Sequence, residues 1–362
     1  AKQIFFTPKN AQNTGILHHK FICVRILRLI MEVIVRDGKI SESVLMRSVL
    51  RKIKTKREEV VCGAGIGVDC AVLSFGEGEE TVLSTNPVCA PADMVCVYGM
   101  HRALNNIAAA GAEPVGILIS AMLPADTEEP ALQNMMAQAE EICRQYHVQL
   151  SGGHTELTET VIQPVLTVTG IGKRKKADTD MRRIKPGQDV IVSKWIGLEG
   201  TVRTAREYRA ALLTRYPSRM IDEAAGFERF LSIIPEAATA RKSGVCGIHD
   251  VSQGGIFGAL WEMANGAGVG LEIDLKKLPV RQETIEICEF YDLNPYELSS
   301  GGCLLMTTED GNGLAAALER EGIPAVVVGK TTAGNDRVLF NEEERRFLEP
   351  PKTDQFYKLT KV

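Results

Sequence analysis

Glycine spacing, more than any apolar pattern, limits what residues 61–120 can become. The stretch opens VCGAGIGVDCAVLS, with Gly63, Gly65 and Gly67 in a short window that ends at Asp69. Glycine enters positive φ without strain and lets a second backbone or a ligand come close. A strand-like run, Ala71–Ser74, follows, then a Gly/Glu turn and a second strand, Thr81–Thr85. The apolar run Val97–Ala110 has the helical period and stops at Gly111 and Pro114. A glycine turn beside a carboxylate can seat phosphate oxygens and a cation. It can equally be a tight turn ahead of a strand. The spacing is neither a Walker loop nor a dinucleotide fingerprint.

The alternation of strand and helix continues. Ser43–Ile53 has a helical period, and the basic run Lys52–Arg57 reads as a solvated helix end or a face for an anion. Val115–Ala121 is strand-like, and Leu132–Tyr146 is an amphipathic helix whose Met135 and Met136 pack inward. Val148–Leu150 is a short strand running into Ser151-Gly152-Gly153-His154-Thr155-Glu156, and a strand over Val161–Thr169 ends at Gly170 and Gly172. Lys173–Lys185 is charged, lacks apolar periodicity and reads as a solvated linker.

In the second half, strand Asp189–Ser193 leads through Lys194 to Gly197-Leu198-Glu199-Gly200-Thr201, a turn whose helix start is a second candidate anion seat. A helix is expected over Met220–Ile234. Strand Val245–His249 precedes a helix capped by Asp250 or Ser252. Ser299-Ser300-Gly301-Gly302 turns into a further strand, and Ala325–Lys330 is the expected last strand. The fold class is therefore α/β (α+β). The expected organisation is an N-terminal extension, 1–40, domains over 41–175 and 186–335, and a tail, 336–362.

A net charge of −4 on 362 residues argues against nucleic acid as the main partner. The nine cysteines stand singly with no Cys-x-x-Cys, against a zinc site or disulfide framework and for reduced thiols in a cytoplasmic protein. Phe21–Val35 is too short and too charged to span a membrane. Residues 1–30, ahead of Met31, read as a poorly ordered or accessory extension.

Seven phrases taken together carry a resemblance. They are GIGVDCAVL (65–73), LSTNP (83–87), ALNNIAAAGAEPVGILIS (103–120), SGGHTE (151–156), GIHDVSQGGIFGALWEMA (247–264), GVGLEIDLKKLPVR (268–281) and LSSGGCLLMTT (298–308). In this order they resemble the aminoimidazole ribonucleotide synthetase superfamily, in its synthetase-related, hydrogenase-maturation-like branch. The resemblance implies two α/β domains, with the N-terminal domains of a homodimer pairing into a β-barrel. It also implies ATP in a cleft near that interface, Mg²⁺, and phosphoryl transfer to a small metabolite or an amide-like oxygen.

Carried over by position, the nucleotide residues are Gly65, Gly67, Asp69, Asn106, Gly152, Gly153, His154 and Lys194. The metal ligands are Asp69, Asn86, Asn106 and Glu156. Each has a plainer reading beside it: a turn-capping Asp69, capping amides at Asn86 and Asn106, a hydrogen-bonded His154, a solvated Lys194. The superfamily usually has aspartate at positions 86 and 106, so two negative charges are missing here. Hard Mg²⁺ is held less well by amides than by carboxylates. The other reading is therefore a non-catalytic nucleotide- or metabolite-binding accessory factor. The sequence ends KLTKV and its last cysteine is Cys303, so nitrile formation on a tail cysteine is not expected.

Overall fold

The computed structural model describes residues 38–66, 70–175, 183–350 and 352–361. The expected extension over 1–30, Gly67, Asp69 and the middle of the 173–185 linker lie outside the described residues.

The first half is built on a five-stranded sheet of order β1-β6-β5-β7-β4. Its strands are β1 (Gly38–Lys39), β4 (Glu79–Cys89), β5 (Glu113–Pro124), β6 (Gln149–Thr158) and β7 (Val165–Lys175), while β2 (Val60–Cys62) and β3 (Val72–Leu73) pair separately. Helices α1 (Val95–Ala109) and α2 (Glu129–Tyr146) back the sheet. Leu104, Ile117, Leu123 and Val168 are fully buried between these layers. Alternate residues of each strand point to the other face, where Leu83 is 65% and Met122 37% exposed.

Two expected strand ends are strand interiors. SGGHTE is the body of β6, and β7 runs through Gly170 and Gly172 to Lys175. The glycines at 170 and 172 admit α1: a Cβ on Gly172 would lie 2.3 Å from Ile107 Cγ2, and one on Gly170 3.0 Å from the Ala103 carbonyl oxygen. The basic run keeps Lys54 and Lys56 exposed, as a solvated end does, while Arg57 at its close enters an ion-pair network. Arg57 reaches Glu59 at 2.6 Å and Glu113 at 2.7 Å, and it holds the Glu59 carboxyl down at about 2, helped by Lys173.

The second half is a seven-stranded sheet of order β14-β13-β10-β12-β8-β11-β9. Its strands are β8 (Asp189–Ser193), β9 (Gly247–Val251), β10 (Gly270–Asp274), β11 (Cys303–Thr308), β12 (Ala325–Thr332), β13 (Arg337–Asn341) and β14 (Glu344–Phe347). Ala325–Lys330 is thus not the last strand, and residues 337–347 belong to the sheet and not to a tail. Helix α3 (Leu198–Glu207) follows β8; α4 (Ser218–Ala225) is a short piece of the long helix expected there and gives way to a 3-10 turn. Val190 and Val192 of β8 pack toward α6 (Gly255–Ala267), while Ile191 packs toward α5 (Ile234–Lys242) and α8 (Gly311–Arg320). Helix α7 (Gln282–Tyr291) packs its Ile287 with Ala205 of α3.

The halves meet through side chains of α1. Asn105 donates to the Leu231 carbonyl at 2.8 Å and accepts from the Ile233 N–H at 3.0 Å. Arg102 forms a buried ion pair with Glu199 of α3.

Candidate functional site

A groove of about 880 Å³ runs along the first sheet. Its lining includes Gly63 and Gly65 of the opening glycine turn and Gly152, Gly153 and His154 of β6. The chain can pass here because β6 carries an irregularity. Ile117 pairs with Leu150 and Leu118 with Gly152, which leaves Ser151 as an extra residue in a bulge. Two residues on, Gly153 has φ 151°, and a Cβ there would meet the Ile119 carbonyl oxygen at 2.0 Å. No side chain fits at position 153.

Alternation supplies the rest of the wall. Ser120 of β5 and Thr167 and Thr169 of β7 present hydroxyls, and Leu118 and Leu73 give apolar surface. Sequence reading missed these residues, although period 2 along β5 and β7 was the available signal. Among the described residues lining the groove there is no lysine or arginine. Donors are hydroxyls, backbone N–H groups and His154, whose Nε2 lies 3.3 Å from Glu156 Oε2 with both side chains half exposed.

The expected ligand set is not gathered among the described residues. Asn86 and Asn106 do converge, but on one serine: their amide groups donate to Ser84 Oγ at 3.1 and 2.9 Å. Ser84 and Asn86 stand on the face of β4 that carries α1. Thr85 turns to the other face, where Thr169 donates to it at 3.0 Å. Asn86 lies on the same register line as Gly153, through Val168 and Ile119. Three strand spacings separate them, roughly 14 Å. Gly67 and Asp69 lie outside the described residues. Among the described residues no group of three His, Cys, Asp or Glu is placed to hold a metal ion.

Lys194 is a clasp, not a solvated or phosphate-facing amine. It has φ 52° and is buried, and its Nζ donates to the Phe230 and Ser232 carbonyls at 2.7 and 2.6 Å and pairs with Glu236 at 2.5 Å. Burial raises the Glu236 carboxyl, and Lys194 works against that shift. The start of α3, the second candidate anion seat, is occupied as well. Gly197 N–H donates to Ser300 Oγ at 2.7 Å, Gly200 N–H donates to the Ser299 carbonyl at 2.8 Å, and Leu298 leaves no room at Gly200.

Neither Asp250 nor Ser252 caps α6. Asp250 sits in β9, buried, and its Oδ1 has no hydrogen-bond partner among the described residues. Burial pushes its carboxyl up to about 7 against the pull of His249. His249 itself reaches Glu262 at 3.1 Å.

Two helix-backed sheets joined through a polar seam, with a glycine-lined groove on the first, define an α/β protein in two halves. The chain belongs to the AIR synthase related protein family: the family's N-terminal domain matches residues 67–173 and its C-terminal domain residues 185–340. A putative hydrogenase expression/formation protein of Methanocaldococcus jannaschii is 23% identical over 330 residues, 86% of this chain and 95% of that protein. Carbamoyl dehydratase HypE of Rhodobacter capsulatus is 27% identical over 254 residues, 68% of this chain and 72% of that one. In three dimensions the chain resembles hydrogenase maturation protein HypE in complex with ATP, with a TM-score of 0.70 and 16% identity over 89% of this chain and 98% of that one. No helix among the described residues is long and apolar enough to cross a membrane.

Proposed function

We propose that this chain binds an ATP-like nucleotide in the groove of the first sheet and acts, ATP-dependently, on a small metabolite or an amide-like oxygen. The observation that carries this reading is the meeting of two glycine stretches, 63–65 and 152–153, in one groove with the hydroxyls of Ser120, Thr167 and Thr169. Glycine backbone and hydroxyls hold phosphate oxygens by N–H and O–H donation, and Leu118 and Leu73 offer a face to a base. His154 stands at the groove with Glu156 beside it, where it can donate to a phosphate oxygen. The ATP-bound HypE relative supports the same ligand class. Phosphoryl transfer depends on positioning and charge neutralisation. In this reading positioning falls to the β6 bulge.

Mg²⁺ is the usual counterion of ATP, and the described residues do not fit it. Asn86 and Asn106 donate to Ser84 and offer no carboxylate. Asp69 and Glu156 remain the proposed acidic contributors. No step is assigned to the ion.

The open face of the first sheet, with Leu83 and Met122 exposed, supports a homodimer in which two such faces meet. A cytoplasmic setting and division into domains at the 173–185 segment belong to the same reading.

Thermal melting with ATP, with and without Mg²⁺, tests binding. A ligand at 100 times its Kd stabilises by about 2.7 kcal/mol, a gain of several degrees. No shift at millimolar ATP or ADP overturns the proposal. The Ser84-centred amide pair favours one second reading, a nucleotide-binding accessory factor without turnover. ATP binding without ADP release against amide and hydroxyl acceptors selects it.

A further inference from the structure

A second cavity, of about 270 Å³, lies beside β14, the edge strand of the second sheet. One wall is the hairpin of β13 and β14. Leu339 pairs with Arg346 and Asn341 with Glu344, so these four residues share one face of the hairpin, and all four line the cavity. The other wall comes from two 3-10 turns, Leu275–Lys277 and Pro295–Glu297, which contribute Leu275, Lys276 and Tyr296. Asp274 caps the first turn by accepting from the Lys276 N–H at 3.0 Å. Asn294 caps the second by accepting from the Tyr296 N–H at 3.1 Å. The cavity shares no residue with the groove of the first sheet.

A buried ring braces this site. Phe257 of α6 stacks on the Tyr296 ring, with centres 5.0 Å apart and planes 7° apart. The Arg346 guanidinium lies 5.6 Å from the centre of the same Phe257 ring. Phe257 therefore fixes both the aromatic wall and a cation. Leu339, 2% exposed, and Leu275 complete the apolar lining.

The polar groups are mostly unengaged. Lys276 pairs with Glu342. The side chains of Asn341, Glu344 and Arg346 make no hydrogen bond or ion pair among the described residues. Arg346 acts at a distance on the Glu349 carboxyl, but that group is paired with Lys352. Glu344 and Arg346 stand two residues apart on one strand face, about 7 Å between Cα atoms. They are opposite charges that face one cavity without closing on each other. An α-amino acid carries its ammonium and carboxylate on one carbon. With a charge-assisted hydrogen bond of about 2.8 Å at each end, it spans such a pair. The volume is just below the usual range of about 300–1,000 Å³ for ligand pockets, so it admits little more than one amino acid.

We propose that this cavity binds a free α-amino acid with an apolar side chain. Arg346 takes the carboxylate, Glu344 takes the ammonium and the Asn341 amide adds a hydrogen bond. The ligand's side chain lies between Leu275, Leu339 and Tyr296. A simple anion would meet Glu344 and a simple cation would meet Arg346, so the paired charges select a zwitterion.

Calorimetric titration of the full chain with L-leucine and L-phenylalanine tests the assignment. At least one of them is expected to bind saturably. N-acetyl-leucine lacks the ammonium and leucinamide lacks the carboxylate; each is expected to bind at least about tenfold more weakly than leucine. Glu344→Gln and Arg346→Gln lie on an exposed edge strand and should keep the melting temperature, while each weakens amino-acid binding at least about tenfold. The blocked analogues need no substitution, so the test stands even if a variant misfolds. Hydrogen exchange should slow over 274–277 and 338–346 with amino acid present and stay unchanged over 149–155. Absence of saturable binding at millimolar leucine and phenylalanine overturns the proposal. So does equal binding of either blocked analogue, or an affinity that neither variant changes. Loss of ATP binding at the first sheet would leave all these outcomes unaffected.

Discussion

Ser151-Gly152-Gly153-His154 and Ser299-Ser300-Gly301-Gly302 read almost alike as sequence, yet the structure uses them oppositely. The first lies inside β6 and faces a groove. The second is a turn whose serines are engaged and whose space is filled: Ser300 Oγ takes the Gly197 N–H, Ser299 donates to Asp354, and a Cβ on Gly301 would lie 2.3 Å from Glu199 Oε2. Both need glycine for steric reasons. At 153 the opposing atom is the Ile119 carbonyl oxygen, and at 302, with φ 99°, it is the Phe230 carbonyl oxygen at 2.4 Å. A glycine pair therefore reports backbone crowding, and only the surrounding space tells whether a ligand can share it.

The largest break in this comparison comes from the closed region. Lys194→Met leaves Glu236 buried and unpaired and should cost about 3–5 kcal/mol in chemical denaturation. The folded fraction should keep its ATP affinity, since Lys194 is absent from the groove lining. Gly302→Ala and Gly153→Ala should each cost about 2–4 kcal/mol, from forbidden φ and backbone overlap. A Cβ on Gly152 meets Leu118 Cδ2 at 3.1 Å and Ala71 Cβ at 4.0 Å, both side-chain atoms. Gly152→Ala should cost under about 1 kcal/mol in stability while reducing the ATP-induced melting shift.

Asp250 sharpens the contrast by pH. Its carboxyl is raised to about 7 in the folded state, above an ordinary 3.8. Between those values the folded chain binds the extra proton, so this group's contribution to stability falls as pH rises and levels off above about 7. The slope is at most about 1.4 kcal/mol per pH unit. Asp250→Asn should flatten that part of the stability–pH curve, and an unchanged curve would show that the carboxyl titrates normally. The smallest effect belongs to exposed His154: His154→Ala should alter stability by less than about 0.5 kcal/mol and weaken ATP binding by about threefold to tenfold.

Much of this was legible in the sequence. Helices α1 and α2 and strands β8 and β11 fall where periodicity and glycine stops put them. The misses have one physical root. Gly170 and Gly172 read locally as terminators because glycine punctuates strands, whereas in the fold they serve the close passage of α1. Lys194 looked like a loop amine because its partners, Phe230, Ser232 and Glu236, lie about 40 residues on. Asp354 as the cap of α6 is a hundred residues from the helix it caps, beyond any local rule. Of the candidate site, the glycines and His154 were readable as motif, while Ser120, Thr167 and Thr169 needed the sheet register to bring them together.

The most direct test is peptide-resolved hydrogen exchange with and without saturating ATP, comparing the two glycine segments in one sample. Slower exchange over 62–66 and 149–155, with 299–302 unchanged, is the expected result. Protection confined to 299–302, with the first sheet unaffected, would contradict the placement of the nucleotide.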